Sequence, residues 1–175
     1  MPTRKQLLIA SGIATAIFWI VLVVIDKDLE ATGGPGIVGL EFAGSRDQVV
    51  EFMAEWGDHG VYLARLSLWI DFGFMAVYGA FLTLAALATR DFARERSLPA
   101  LAKAGIAAPY LAVGAALFDV AENIVWLLAL GGHGGEAGPP FATACASIKF
   151  LFLTLVILYC VWGLVSRFRL RRQLT

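Results

Sequence analysis

The sequence predicts an all-α membrane protein, a bundle of four transmembrane helices with a short external amphipathic helix. Of its 175 residues, 59% are hydrophobic and 16% are charged, and the mean hydropathy is +0.74. A soluble fold has roughly 25% charged residues, so this chain has too few to cover a surface exposed to water. Four apolar runs, each about long enough for the ~20 residues of a bilayer-spanning helix, make up more than half of the chain.

The four predicted spans are residues 7–25, 62–88, 106–130 and 141–165. The first could be mistaken for a signal peptide, but its apolar stretch is longer than the usual ~7–15 residues. Acidic residues follow it, where a signal peptide would have a cleavage site flanked by small residues. We therefore expect the first span to be a retained helix.

The basic residues are divided unequally between the span ends on one side of the membrane and those on the other side. One set holds ten Lys and Arg: Arg4, Lys5, Arg90, Arg94, Arg96, Lys103, Arg167, Arg169, Arg171 and Arg172. The other set holds only Lys27 and Arg46, together with nine acidic residues. Because cytoplasmic loops carry the excess of Lys and Arg, we predict a multi-pass protein of the bacterial inner membrane with both termini in the cytoplasm.

The long first external connection is expected to contain the amphipathic helix, at about residues 46–56. Ser45 can cap it, and apolar side chains recur at helical spacing: Val49, Phe52, Met53 and Trp56. Its polar face is acidic and lacks the cationic residues usual in lipid-binding helices. The pattern therefore favours packing against the protein over packing against lipid.

Ionisable side chains occur inside the last three spans: Arg65, Asp71, Asp119, Glu122 and Lys149. A charged side chain near the bilayer centre costs roughly 2.5–3.5 kcal/mol, so these groups are expected to face one another. At 1.5 Å per residue, all of them except Arg65 lie about 12–17 Å below the outer ends of their helices. Arg65 is shallower, within reach of the outer interface.

These positions predict a polar pocket in the outer half of the bundle. Asp119, Glu122 and Asn123 share one helix face, because they stand at i, i+3 and i+4. The predicted lining is Arg65, Asp71, Tyr78, Asp119, Glu122, Asn123, Trp126 and Lys149. Three acids meet two bases, and Arg65 can extend outward to the interface. One carboxyl of the coupled Asp119 and Glu122 pair is therefore expected to hold a proton near neutral pH.

Two hypotheses account for the buried charges. In the first, the pocket binds a small amphiphile or a membrane lipid; if a reaction occurs there, Asp119 and Glu122 are the candidate proton donor and acceptor. In the second, the protein is a structural or assembly subunit of a membrane complex, and Lys149 only bridges Asp71 and the Asp119–Glu122 pair. A third hypothesis is a proton-coupled transporter, which would have to be a homodimer because four helices are few for alternating access.

Other partners are not indicated by the sequence. The formal net charge is zero, so the chain lacks the excess of basic residues expected of a nucleic-acid binder. His59 and His133 lie in separate loops and the two cysteines form no CxxC motif, so we predict no metal site. No motif identifies a cofactor.

Three motifs resemble a pattern in small bacterial four-span integral membrane proteins. They are WxDFxFMxxYxxxL in the second span, FDxxEN in the third and IKF in the fourth, and the resemblance covers most of the chain. It implies a membrane location and no particular activity.

Overall fold

The computed structural model describes residues 2–172, apart from the side chain of Arg171, one of the basic residues behind the orientation prediction. Six helices make up this part of the chain: α1 Arg4–Glu30, α2 Ile37–Glu41, α3 Arg46–Glu95, α4 Pro99–Ala104, α5 Ala108–Leu130 and α6 Gly138–Arg172. It contains no strand. The predicted all-α class is confirmed.

Four helical segments are long and apolar enough to cross a membrane: Arg4–Glu30, Arg46–Glu95, Pro99–Leu130 and Gly138–Leu170. The helices α1, α3 and α6 extend beyond their predicted apolar runs, because capping and backbone hydrogen bonds prolong a helix past its membrane-compatible part. At the start of α1, Thr3 Oγ1 accepts from the Gln6 backbone N–H, and the Gln6 side chain accepts from the Thr3 backbone N–H. This reciprocal cap starts the helix in the polar segment that precedes the apolar run.

The long helix α3 is the centre of the bundle and packs against α1, α5 and α6, and α5 and α6 also pack along each other. No extended interface joins α1 to α6 within the described residues. Glycines let α1 approach α3 closely. A Cβ atom at Gly12 would lie 3.0 Å from the Phe81 ring, and one at Gly73 would lie 2.6 Å from the Phe18 ring.

The two ends of the bundle are distinguished by the short helices. Arg4 forms an ion pair with Asp91, and the Arg167 guanidinium lies 4.6 Å from the centre of the Phe92 ring. These contacts place the first turn of α1 and the last turns of α6 together, at the end that also contains α4. We call this the α4 end, and the opposite end, where α2 lies, the α2 end.

The predicted amphipathic helix is the first part of α3, residues 46–56. Ser45 Oγ accepts from the Gln48 backbone N–H at 3.3 Å, as a capping residue does. Val49 and Trp56 are each 3% exposed and pack in a core with residues of α1 and α2. The Trp56 indole N–H also donates to the Pro35 carbonyl at 2.8 Å. This segment therefore packs against the protein.

The sequence pattern did not predict the short helix α2, which folds onto the bundle. Its first backbone N–H, that of Ile37, donates to the Asp26 carboxylate at 2.5 Å, so α1 caps α2. Leu40 is fully buried and Glu41 is 9% exposed. As a result, a segment expected to lie in external solvent places a carboxyl group inside the protein.

Gly57 separates the amphipathic segment from the rest of α3. Its φ of 59° and ψ of −172° interrupt the helix, in a region of backbone space that is essentially restricted to glycine.

We expect Gly57→Ala to lower the free energy of unfolding by about 1–3 kcal/mol, measured by denaturant titration in detergent micelles. Gly44→Ala is the control, because Gly44 has no positive φ and a Cβ atom there would lie 3.9 Å from its nearest neighbour. Equal stabilities of the two variants would contradict the assigned backbone constraint.

Candidate functional site

The Lys149 ammonium lies at the centre of the buried charges. Its Nζ donates to Glu41 Oε1 at 3.0 Å and to Asp119 Oδ1 at 3.1 Å, and Glu122 Oε2 lies 2.9 Å away. A lysine ammonium has three N–H donors, so the number of carboxylate neighbours matches the number of donors. The Phe150 ring lies 4.8 Å from Nζ. Lys149 on α6 thereby joins α2 to α5.

A second set of hydrogen bonds connects these charges to α3. The Tyr78 hydroxyl donates to Asp119 Oδ2 at 2.7 Å. The Asn123 side-chain amide donates to Asp71 Oδ2 at 2.8 Å and to the Leu68 carbonyl at 3.2 Å. We refer to these side chains together as the polar cluster: Glu41, Asp71, Tyr78, Asp119, Glu122, Asn123 and Lys149.

Burial explains why these groups pair so closely. Asp119, Glu122 and Lys149 are 3%, 0% and 4% exposed, so neither water nor a surface counterion can solvate them. An isolated charge in such surroundings is costly, and only pairing and hydrogen bonds offset that cost. The i, i+3, i+4 spacing on α5 supplies three of the cluster residues from one face, as predicted.

Six of the eight predicted pocket residues belong to the polar cluster, and two do not. The Arg65 guanidinium instead donates to the Leu130 carbonyl at the carboxyl end of α5, where a cation also meets the negative end of the helix dipole. Trp126 is fully buried in the apolar core with Leu68 and Leu130 and does not line the cavity described below. Arg65 and Trp126 therefore lie outside the polar cluster and do not line the cavity, whereas Glu122 and Asn123 belong to the cluster without lining the cavity.

The structure adds Glu41 to the site, which the sequence pattern did not predict. Glu41 is one of the nine acidic residues at the external span ends, but Ile37, Val38, Leu40 and Phe42 surround it in sequence. A short apolar segment of this kind is a signal that the loop is not fully solvated. The predicted bridge from Lys149 to Asp71 is also wrong, because Glu41 occupies that place and Asn123 holds Asp71. The polar cluster therefore contains four carboxyl groups and one ammonium, which contacts three of them, instead of three acids facing two bases.

The environment of Glu41 disfavours its charged form. Burial raises the pKa of the Glu41 carboxyl above its ordinary value, the Lys149 ammonium lowers it in part, and the nearby Asp119 and Asp26 raise it further. Its Oε2 atom has no hydrogen-bond partner. An additional donor or positive charge beside this oxygen would therefore stabilise the carboxylate.

A cavity of about 520 Å³ lies beside the polar cluster, between α1 and α6. The helix α3 forms its floor, and α2 covers its α2 end. Its polar lining comes from Asp26, Glu41, Asp71, Tyr78, Asp119 and Lys149. Its apolar lining includes Leu22, Val23, Phe74, Phe81, Leu153 and Ile157. Trp19 and Val38, also in the lining, are 59% and 54% exposed, so the cavity opens at the side of the bundle.

The cavity is amphipathic along its length. It follows α1 from Asp26 to Thr15, which is about 16 Å at 1.5 Å per residue. The carboxyl groups lie towards its α2 end, and Phe81, Leu82 and Ile157 lie towards the other end. Phe81 also lines a second cavity of about 310 Å³ that continues between the same helices to Arg167. One aromatic side chain thus stands between the two spaces.

The two candidate catalytic carboxyls occupy different positions. Asp119 lines the cavity and Glu122 does not. Both oxygens of Asp119 accept hydrogen bonds, one from Lys149 and one from Tyr78. Among residues 2–172, no group of three His, Cys, Asp or Glu side chains is arranged to hold a metal ion.

No protein-family model, curated protein or solved structure matches this chain.

Removing the central cation tests the energetic role of the polar cluster. We expect Lys149→Met to lower the free energy of unfolding by about 3–5 kcal/mol, because it leaves the buried carboxyls without a counterion. The control is Arg46→Met, which breaks an exposed ion pair with Glu136 and is expected to cost less than about 1 kcal/mol. Denaturant titration in micelles measures both variants. A small loss for Lys149→Met, similar to that of Arg46→Met, would show that the carboxyls do not depend on the ammonium.

Proposed function

We propose that this integral membrane protein binds a small amphiphile in the cavity between α1 and α6. The polar group of the ligand lies against the polar cluster, and its apolar chain lies along α1 towards Phe81. The observation that carries the proposal is the cavity itself, which is about 16 Å long and has carboxyl groups at one end and an apolar wall towards the other.

The size and lining of the cavity support a ligand site. Sites for small molecules are typically ~300–1,000 Å³, mostly apolar, with a few convergent polar groups, and the 520 Å³ cavity has these properties. A network of buried charges that served only to hold helices together would need no open space beside it. The pocket thus accounts for a feature that the scaffold hypothesis leaves unexplained.

The lateral opening supports entry of the ligand from the bilayer. A ligand with an apolar chain partitions into the membrane before it reaches the protein, and the mouth between α1 and α6 faces the side of the bundle. Exposed aromatic and aliphatic side chains at this mouth, Trp19 and Val38, would contact the chain as it enters. Such a ligand need not cross water to reach the cavity.

The protein lies in the bacterial inner membrane with its α4 end in the cytoplasm. The ten Lys and Arg near the α4 end, against two near the α2 end, favour this orientation under the positive-inside rule. The polar end of the cavity then lies in the outer half of the membrane, and the ligand is a component of the outer leaflet.

Blocking the cavity tests the proposed site. We expect Leu153→Trp to fill the apolar part and to weaken binding of dodecyl amphiphiles about fivefold or more, since overpacking costs about 1–3 kcal/mol. Native mass spectrometry of protein released from maltoside micelles, with dodecylamine, dodecanol or dodecanoate added, measures the bound fraction. Leu155→Trp is the control, because Leu155 is 45% exposed and does not line the cavity. If none of the three compounds binds the wild type, or if both variants bind equally, the cavity is not a ligand site.

The position of Phe81 predicts a limit on chain length. Phe81→Ala is expected to join the two cavities that this ring separates, and so to raise the ratio of bound hexadecyl to bound dodecyl amphiphile about threefold or more, since each added buried CH₂ contributes ~0.8 kcal/mol. The same mass-spectrometric assay reports this ratio. Phe72→Ala serves as the control, because Phe72 packs on Trp69 and lines neither cavity. An unchanged ratio in Phe81→Ala would contradict the assigned role of the ring.

A further inference from the structure

The hydrogen-bond donors of the polar cluster are already occupied. Lys149 has three carboxylate oxygens within 3.1 Å, and the Tyr78 hydroxyl donates to Asp119. The Asn123 amide uses its two N–H groups on Asp71 and on the Leu68 carbonyl. A ligand that reaches the cluster therefore meets no uncommitted donor there. Trp19, a lining residue with a further N–H, is 59% exposed and belongs to the mouth.

Several hydrogen-bond acceptors of the polar cluster, in contrast, have no donor. Glu41 Oε2, both carboxyl oxygens of Glu122 and Asn123 Oδ1 are buried and accept no hydrogen bond in the described structure, although Glu122 Oε2 lies 2.9 Å from the Lys149 ammonium. Of these three residues, Glu41 lines the cavity, and only 9% of its surface is exposed. An unpartnered buried acceptor destabilises the protein, and a donor from a ligand can recover that loss.

The charged side chains that line the cavity are mostly acidic. Lys149 is the one cation among the described residues that line the cavity, against Asp26, Glu41, Asp71 and Asp119. Arg65, the other basic residue within the predicted apolar runs, is engaged at the end of α5. A phosphate or carboxylate on the ligand would face these carboxyl groups without a free cation or donor to receive it.

We infer that the amphiphile bound in this cavity has a protonated primary amine as its polar group. This inference rests on the proposed function and names the chemical class of its ligand. The ammonium donates to Glu41 Oε2 and lies among the carboxyls of α1 and α3, while the alkyl chain follows the apolar wall. It supplies both the donors and the positive charge that the polar cluster lacks, and a charge-assisted bond to a carboxylate is roughly twice as strong as a neutral one.

Three dodecyl compounds with different polar groups test the inference on the intact protein in maltoside micelles. We expect dodecylamine, as its ammonium, to bind about tenfold or more tightly than dodecanol or dodecanoate, measured by isothermal titration calorimetry. Dodecanoate or dodecanol binding as tightly as dodecylamine would overturn the amine assignment and leave the amphiphile pocket intact. If none of the three binds, the proposed function fails as well.

Variants of the carboxyl groups locate the amine. Glu41→Gln keeps the size of the side chain and removes its charge, and it is expected to weaken dodecylamine binding about tenfold while changing dodecanol binding little. Asp28→Asn is the control. It changes an exposed acidic residue of α1 near the α2 end of the bundle and is expected to leave both affinities unchanged. Equal losses for dodecylamine and dodecanol in Glu41→Gln would overturn the inference.

A second variant covers the case in which Glu41→Gln fails to fold. Asp71→Asn changes a lining carboxyl that does not contact Lys149, and thermal unfolding monitored by circular dichroism confirms that each variant is folded. We expect Asp71→Asn also to weaken dodecylamine selectively. Unchanged dodecylamine affinity in folded Asp71→Asn would contradict the placement of the ammonium among these carboxyls.

Discussion

The pairing of one buried ammonium with three carboxylates is the interaction on which the rest of this structure depends. Lys149 contacts Glu41 and Asp119, which are 108 and 30 residues away in sequence. In surroundings without water, a carboxylate that lost this contact would be left uncompensated. The pairing therefore fixes more than the register of α5 against α6. It also holds α2 against the bundle, because Glu41 is the last residue of α2.

The same pairing determines where the bundle is open. The polar cluster joins α3, α5 and α6, and α2 is attached to it through Glu41. The helix α1 contributes no side chain to the cluster and packs on α3 through close contacts of Gly12 and Gly73 with aromatic rings. The space between α1 and α6 is therefore left unfilled, and α2 closes it at one end. Charge pairing and glycine packing together produce a cavity with one polar and one apolar end.

The balance of donors and acceptors gives the cavity its chemical preference. A site for an anionic lipid would present free arginine or lysine donors, whereas Lys149, which lines this cavity, is surrounded by carboxylates and covered by Phe150. Buried acceptors without partners are uncommon in folded proteins. Glu41 Oε2, the unpartnered acceptor whose residue lines the cavity, gains a donor if a ligand with N–H groups binds there. The proposed amine thus follows from what the polar cluster lacks.

The sequence by itself determined the four spans, the capped helix that begins after Ser45, and the meeting of Asp71, Asp119, Glu122 and Lys149. Hydropathy, capping and depth in the membrane each depend on where a residue lies along one helix, so the order of residues in the sequence is enough to predict them. Only the tertiary structure decided that Glu41 enters the cluster, that Arg65 and Trp126 do not line the cavity, and that a cavity exists between α1 and α6. These features depend on how each helix is rotated about its axis and on how a connecting segment folds back. The physical reason is that rotation and fold-back are set by packing between segments distant in sequence, which no local pattern encodes.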